Sequence, residues 1–482
     1  MPKRVAVYCV NFSKTAVMPD QRLAKQTIND LETIVGGDNV RTNPDDLKEF
    51  GKDWTTIYTP KPSLVLLPAT SSEVSAIVKY CAKHNIKLVP SGGRTGLAGG
   101  AMATAGEVVI SMQRLNRILA LDHKSLHAEV EAGVTTQALQ IAAAEQGLIF
   151  ALDMASKGSA TVGGNIATNA GGTHFVRYGG MREQVLGLEV VVADGTVMRL
   201  NGALHKNNTG YALQHLFIGS EGTLGIITKA IVKLTSKPLN ITTMFLAFDN
   251  LPNVLKTLAT LRRHAGVRVN VFEIIDASSL DAVTRILSLP ALFAKPCRFA
   301  VLLELDGDEA WIEAVMNSMF KLQLASEILL AQSSAERHKF WRYREGITEA
   351  LSTYKHVYKG DVSVSVPQLV QFINAIAEDF YKYAHDEIEM MIFGHVGDGN
   401  LHINYVSNTN ERQALLENID RRMHQIVADF DGSISAEHGI GLRKKDYLTF
   451  SRSAKEIEMM RQIKLALDPS AIFNPHKIFD LA

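Results

Sequence analysis

Three glycine-rich stretches in the first half of the chain limit the folds open to it more than any other feature. They are residues 91–100, 158–172 and 219–227. Closely spaced glycines let backbone N–H groups approach phosphate oxygens, because no Cβ blocks the contact and a positive φ is allowed. Two such loops, each with Ser or Thr hydroxyls beside the glycines, could grip a pyrophosphate from both sides. The alternative is that these glycines serve tight turns and close strand packing.

The hydrophobic pattern around these loops predicts a mixed α and β fold. Residues 64–68 and 87–90 read as short buried strands on either side of a helix over 71–84, which predicts a βαβ unit. The closest matches to Gly-x-Gly-x-x-Gly fail at the third glycine, so a Rossmann fingerprint is missing. Beyond residue 238, longer strands and helices alternate, and this spacing predicts an antiparallel sheet with helices on one face.

We expect four segments in a chain of 482 residues, which is long enough for two or three domains. They are a helical lead-in over 1–57, a glycine-loop domain over 58–237, an α+β domain over 238–450 and a C-terminal helical segment over 451–482. Fifty basic and fifty acidic residues cancel, which argues against a nucleic-acid partner.

The N-terminal sequence and the spacing of the cysteines favour a cytoplasmic protein, with peripheral attachment to a membrane left open. The apolar run at 5–10 is too short for the core of a signal peptide, and no stretch is long enough for a transmembrane segment. Cys9, Cys81 and Cys297 lie far apart without metal-type spacing, as expected of a reduced chain.

His395 and His402 form the strongest candidate for chemistry. They flank Asp398-Gly399, a strong turn signal, so residues 393–404 read as a β-hairpin that pairs 395 with 402. Cross-strand imidazoles in that register could reach one divalent metal. Glu437 is the leading candidate for a third ligand, and Asn404 projects from the same face as the histidines. The alternative is a pair of packed or hydrogen-bonded histidines.

Several ordered motifs carry a resemblance to a known family. Residues 90–100, 157–180 and 219–228 resemble the FAD-binding domain of the vanillyl-alcohol oxidase and p-cresol methylhydroxylase (PCMH) flavoproteins. Residues 393–404 and 435–441 resemble the D-2-hydroxyacid dehydrogenase branch of that superfamily. The resemblance implies an α+β fold with a two-part PCMH-type FAD-binding domain, an antiparallel-sheet substrate (cap) domain and a C-terminal segment packing near the flavin.

By that resemblance, the glycine loops and the C-terminal run hold the FAD. The implied cofactor-binding residues are Pro90, Ser91, Gly92, Gly93, Arg94, Thr95, Gly96, Leu97, Gly158, Ser159, Thr161, Gly163, Gly164, Asn165, Thr168, Asn169, Gly171, Gly172, Glu221, Gly222, Gly225, Ile226, Ile227 and Lys477. Some members attach flavin through a histidine after a Ser-Gly-Gly loop. Arg94 occupies that position here, so we expect non-covalent FAD.

The substrate expectation rests on Arg344, Thr348 and Lys359. Arg344 and Thr348 stand four apart on a predicted helix, and an Arg, a hydroxyl and a Lys together suit a carboxylate. Without the resemblance, a solvated helix face and a surface lysine would be the simpler interpretation. The segment resembles D-2-hydroxyglutarate dehydrogenases, in which matching residues hold the far carboxylate of the substrate.

The resemblance implies oxidation of D-2-hydroxyglutarate to 2-oxoglutarate by hydride transfer to flavin N5. A divalent metal, with zinc the leading candidate, would be held by His395, His402 and Glu437. His438 would be the catalytic base and, with Asn404, would also contact the substrate. The alternative reading of Glu437-His438 is a polar turn.

The electron acceptor is expected to be an electron-transfer flavoprotein or a quinone, and a homodimer is left open. Alternatives are a D-lactate, D-malate or glycolate dehydrogenase on the same scaffold, a flavin-free metallohydrolase, or a non-catalytic FAD subunit of a membrane oxidase complex.

Overall fold

The computed structural model describes residues 23–55, 57–263, 268–384, 387–409 and 413–481, without the side chains of 413 and 414. The expectations for Cys9 and for the apolar run at 5–10 lie outside these residues. Cys81 and Cys297 are free thiols. Within the described residues, no helix is both long and apolar enough to cross a membrane.

The chain begins with two helices, Lys25–Val35 and Pro44–Phe50. Asn43 caps the start of the second helix, because its Oδ1 accepts a hydrogen bond from the backbone N–H of Asp46 at 2.9 Å. The first helix packs Leu31 and Val35 into the same core as the helix Ser71–Lys83, so the lead-in is part of the first core.

The first sheet has four strands, in the order Val40–Arg41, Leu64–Leu66, Val108–Ser111 and Leu88–Ser91. The predicted βαβ strands are present but are not neighbours. Val108–Ser111 lies between them and pairs in parallel with both. Val108–Ser111 is buried throughout, which suits a central strand. The βαβ spacing alone predicts that its two neighbours pair directly with each other.

The second sheet has five antiparallel strands, in the order Ile118–Asp122, His127–Glu131, Ile226–Lys233, Val185–Val191 and Val197–Leu200. A separate pair joins Leu148–Ile149 to Thr235–Ser236. The connections carry the helices Thr136–Ala144, Val162–Thr168, Phe175–Tyr178, Met181–Gln184 and Gln214–Phe217. A short 3-10 helix, Met112–Arg114, follows the first sheet.

The third sheet has seven strands and is antiparallel throughout, as predicted. Its order is Glu327–Leu330, Ile241–Phe248, Phe299–Asp306, Arg268–Asp276, Glu389–Gly394, Asn400–Ser407 and His356–Ser363. We call this sheet with its helices the cap domain.

Helices cover both faces of the cap sheet, so the expectation of helices on one face is wrong. One face carries Leu251–Arg263, Glu309–Lys321, Leu369–Tyr383 and Gln413–Asp429. The other carries Ala277–Ile286 and Ser334–Leu351. Strand residues alternate between the two cores: Met244 and Leu246 face one, Phe245 and Ala247 the other. Strands that are apolar on both sides need cover on both sides.

The C-terminal segment returns to the N-terminal part of the molecule. After the 3-10 helix Lys445–Phe450 comes the helix Ala454–Leu467, with a capping box at Ser453. The buried Lys464 then donates to the backbone O of Thr223 at 2.7 Å, and Phe473 bridges to Leu88 of the first sheet. The C-terminal segment therefore packs against the third glycine loop and the first sheet.

Candidate active site

The glycine loops line one cleft, which we call the glycine cleft. Its walls come from residues 90–101, 161–168 and 220–227. The first two walls touch at two glycines. A Cβ on Gly92 would lie 2.5 Å from Oγ1 of Thr161, and one on Gly93 would lie 2.0 Å from the backbone O of Ser159. These glycines are therefore required by the close approach of two loops.

Most of the residues predicted to bind the cofactor line this cleft. They are Pro90, Ser91, Gly92, Gly93, Arg94, Thr95, Gly96, Thr161, Gly163, Gly164, Asn165, Thr168, Glu221, Gly222, Gly225, Ile226 and Ile227. Seven others do not line it: Leu97, Gly158, Ser159, Asn169, Gly171, Gly172 and Lys477. One of these lies behind a wall of the cleft, since the backbone O of Ser159 lies directly behind Gly93.

Two polar groups in the cleft fit a polar ligand. Among the described residues, Oγ of Ser91 and Oδ2 of Asp53 are buried without a hydrogen-bond partner. Burial raises the pKa of Asp53 against the hydrogen bonds from Thr55 that lower it. Buried polar groups are rarely left unpaired, so these two atoms point to a ligand with hydrogen-bonding groups. Sequence reasoning missed Asp53, which lies in an irregular segment without a motif of its own.

The histidine hairpin forms, but in a different register from the one predicted. His402 pairs with Phe393, not with His395, and the two strands are joined by the five residues 395–399. The first turn of this loop is closed by the N–H of Asp398 donating to the O of His395 at 3.1 Å. Asp398-Gly399 therefore ends a longer loop and is not the two-residue turn.

The loop nevertheless returns His395 to His402. Their ring centroids lie 5.3 Å apart, and Nε2 of His395 is 3.5 Å from Oε1 of Glu437. Nitrogen atoms of both histidines and a carboxylate oxygen of Glu437 all lie within 4.8 Å of one another. Two imidazoles and one carboxylate are a donor set that suits zinc with an open coordination position. The three residues therefore fit a divalent metal.

Glu273 holds the outer side of His395. Its carboxylate contacts Nδ1 of His395 through one oxygen and Nε of Arg344 through the other, at 2.7 Å. Burial alone would raise the pKa of Glu273, but the charges of His395 and Arg344 outweigh burial and lower it to about 2. In turn, the pKa of His395 is raised, because Glu273 and Glu437 overcome the effect of burial. The only sequence signal for Glu273 is a lone charge within an apolar strand.

The pKa of His402 is shifted in the opposite direction from that of His395. Burial, together with the charge of His395, lowers its pKa to about 3. A neutral imidazole keeps its lone pair available, as a metal ligand must. Its nearest carboxylate is Asp361, directly opposite on the neighbouring strand, with Nδ1 to Oδ1 at 3.8 Å.

Asp361 also organises the segment that carries His438. Its Oδ2 accepts hydrogen bonds from the backbone N–H groups of Glu437 at 2.9 Å and of His438 at 2.8 Å. The same oxygen lies 3.7 Å from Nδ1 of His438. Burial lowers the pKa of His438, although Asp361 opposes this, and the ring also borders the glycine cleft. The candidate base thus lies between the cleft and the metal-type cluster.

The predicted substrate residues are brought together only in part. Lys359 lies opposite Asn404 on adjacent strands, two residues from the Asp361 and His402 pair, so all four share one face. Arg344 reaches that face from its helix, with its guanidinium 4.8 Å from the centre of the Phe393 ring. Thr348 is exposed on the same helix. Burial and the nearby Arg443, which sequence reasoning missed, lower the pKa of Lys359.

Comparison with known proteins agrees with this geometry. Residues 62–201 match the model of an FAD-binding domain, and residues 237–478 match the C-terminal domain of FAD-linked oxidases. A p-cresol methylhydroxylase with bound substrate has the same fold, with a TM-score of 0.75 at 18% identity over 96% of this chain and 99% of that one. The chain thus combines an FAD-binding domain with the C-terminal domain of FAD-linked oxidases, in the fold that p-cresol methylhydroxylase also has.

Two curated relatives are similar along nearly their whole length. A D-2-hydroxyglutarate dehydrogenase of Xanthomonas citri pv. viticola is 42% identical over 93% of this chain and 96% of its own. One of Stutzerimonas stutzeri is 38% identical over 94% of this chain and 98% of its own. The chain belongs to the family of FAD-linked oxidases.

Proposed function

We propose that this protein oxidises D-2-hydroxyglutarate to 2-oxoglutarate with FAD and a divalent metal ion. The observation that carries the proposal is the position of His438, which borders the glycine cleft while its neighbour Glu437 completes the cluster with His395 and His402. An alcohol held at that cluster would therefore face the cleft that suits FAD. The two curated relatives named above support the choice of substrate.

The cofactors would supply two kinds of chemistry. FAD, when bound, supplies the two-electron acceptor, and a metal such as zinc, when bound at His395, His402 and Glu437, polarises the substrate oxygens. The protein's own groups handle the proton. His438 accepts the proton of the hydroxyl group on C2, because its lowered pKa keeps the imidazole neutral near pH 7. Asp361 fixes the backbone of His438 and lies beside its ring.

Specificity would come from the cations on the same sheet face. Lys359 and the buried Arg344 would meet the far carboxylate of a dicarboxylic acid, and the position of Asn404 opposite Lys359 supports this. Arg344 is already held by Glu273 through Nε, which presents its remaining N–H groups in a fixed orientation. Thr348 is exposed, so we give it a smaller part than the sequence motif implies.

The decisive experiment is a stereospecific substrate panel with and without a chelator. D-2-hydroxyglutarate should be oxidised far faster than its L-isomer, and chelation should remove activity while the yellow flavin colour remains. Activity unchanged by complete metal removal would contradict the proposal. A colourless protein that hydrolyses substrates would favour the metallohydrolase alternative.

A variant series separates the proposed substrate from D-lactate, D-malate and glycolate. Lys359→Ala and Arg344→Ala should raise KM for D-2-hydroxyglutarate much more than for D-lactate, because lactate has no second carboxylate. Arg337→Ala is the matched control, since Arg337 lies on the same helix and pairs with Glu304 at 2.8 Å. Equal losses on both acids would argue against recognition of the far carboxylate.

The proposal keeps the finer expectations about partners. Electrons would pass to an electron-transfer flavoprotein or a quinone, in a cytoplasmic enzyme that could form a homodimer. Turnover of the isolated chain with an artificial acceptor tests the alternative of a non-catalytic subunit. A non-catalytic subunit would show no turnover.

A further inference from the structure

A short segment crosses between the two halves of the molecule and carries both Glu437 and His438. We call residues 437–441 the crossing segment. Its N-terminal end is tied to the cap domain through Asp361, as described above. Its C-terminal end is tied to the glycine-loop domain by a second carboxylate, that of Glu221.

Glu221 accepts two backbone hydrogen bonds, one on each oxygen. Ile440 N–H donates to Oε1 at 2.7 Å, and Gly441 N–H donates to Oε2 at 2.8 Å. Each carboxylate oxygen takes one donor, so Glu221 fixes the direction of both peptide planes. Hydrogen bonds to a carboxylate are stronger and shorter than neutral ones.

The glycines of the crossing segment fit this contact closely. Gly439 has φ +81°, and a Cβ there would lie 2.9 Å from Oε1 of Glu221. Gly441 has φ +51°, and a Cβ there would lie 2.1 Å from the backbone O of Ala98, which also accepts the N–H of Leu442 at 3.0 Å. The segment is therefore pressed against both the third and the first glycine loops.

Glu221 is itself held in an unusual conformation by the walls of the glycine cleft. It has φ +52° although it is not glycine. Its N–H donates to the O of Ala167 at 2.7 Å, and its O accepts from Nδ2 of Asn474 at 2.7 Å. Glu221 and Ala167 both line the cleft. A ligand that orders the cleft would therefore order Glu221.

We propose that Glu221 is a positioning residue that couples occupancy of the FAD cleft to assembly of the metal site. It acts through the crossing segment, by fixing where Glu437 and His438 lie. This inference rests on the proposed function, since it takes FAD and a divalent metal as the two ligands. Linkage requires that each ligand raise the affinity for the other by the same factor.

The test measures zinc affinity of the full-length protein by competition with a chromophoric chelator, with and without FAD. For the wild type, FAD should tighten zinc binding by roughly 5- to 150-fold, the usual range for coupled sites. In Glu221→Gln the amide keeps one acceptor and turns an N–H₂ toward the other donor, so the factor should fall toward one. The control Glu189→Gln should keep the full factor, because that buried carboxylate bonds to Ser71, Thr228 and Lys229 and not to the crossing segment.

A second measurement needs no variant. Hydrogen exchange at the amides of Glu437, His438, Ile440 and Gly441 should slow when FAD is added to zinc-free wild-type protein. Equal zinc affinity with and without FAD, or unchanged exchange at these amides, would overturn the inference and leave the proposed function intact. Failure of the wild type to bind FAD or zinc at all would overturn both.

Discussion

Glu273 contacts Nδ1 of His395, so Nε2 of the same ring is the atom that faces Glu437 at 3.5 Å. Glu273 comes from the strand Arg268–Asp276, which lies beside the strand leading into the His395 loop. The contact fixes which nitrogen could bind a metal, in the manner of carboxylate–histidine–metal arrangements. A residue that lies 122 positions earlier in the chain thus sets the orientation of a candidate ligand.

Glu273→Gln should weaken zinc binding by about 10- to 100-fold, the usual effect of losing a carboxylate behind a ligating histidine. Chelator competition on purified protein measures it. Glu304→Gln is the control, since Glu304 is equally buried in the neighbouring strand and also pairs with an arginine of the helix Ser334–Leu351. Equal zinc affinities of the two variants would contradict this role.

His438→Gln should lower kcat for D-2-hydroxyglutarate by about 10²- to 10⁴-fold, the range for loss of a general base. Zinc and FAD contents should stay near those of the wild type, because Asp361 holds the backbone of residue 438 and not only its ring. Stopped-flow flavin reduction isolates the chemical step. His424→Gln serves as the control, since that buried histidine stacks on Tyr447. A comparable rate loss in both variants would point to a general structural effect.

Asp276→Asn should stabilise the protein near pH 7.5. Burial raises the pKa of Asp276 to about 6, from an ordinary value of 3.8. The folded state therefore holds this proton more tightly than the unfolded chain does. The contribution of Asp276 to stability falls as pH rises from about 3.8 through about 6. Above that pH range, ionisation of Asp276 costs about 1 to 3 kcal/mol. Asparagine still caps the helix Ala277–Ile286, where Asp276 now accepts from Ser279 N–H at 2.8 Å.

Urea unfolding at several pH values measures this effect. The advantage of Asp276→Asn should be largest near pH 7.5 and should shrink toward pH 4. An advantage that stayed constant across that range would show that ionisation of Asp276 is not its cause.

The flavin should leave the polypeptide on acid precipitation and colour the supernatant. Arg94 stands where the family resemblance implies a flavin-linking histidine in some members, and its guanidinium lies 4.7 Å from the centre of the Phe50 ring. A guanidinium there cannot serve as that nucleophile. Yellow colour retained in the washed pellet would refute the expectation of non-covalent FAD.

Much of the secondary structure followed from local sequence pattern. The strands Ile241–Phe248 and Phe299–Asp306 are mostly apolar runs, and a helix follows each of them, as the alternation of strands and helices beyond residue 238 predicts. The grouping of glycines located the cleft walls, because a close approach of backbones excludes Cβ atoms whatever the surrounding fold.

The tertiary structure alone decided strand order, hairpin register and the groups behind the candidate ligands. Local pattern could not show that Val108–Ser111 separates two strands, or that His402 pairs with Phe393, since both depend on contacts between distant residues. Glu221, Glu273 and Asp361 belong to three different strands or loops and carry no shared motif. Their roles arise because burial makes a carboxylate seek charged or N–H partners, and only the folded chain determines which partners are near.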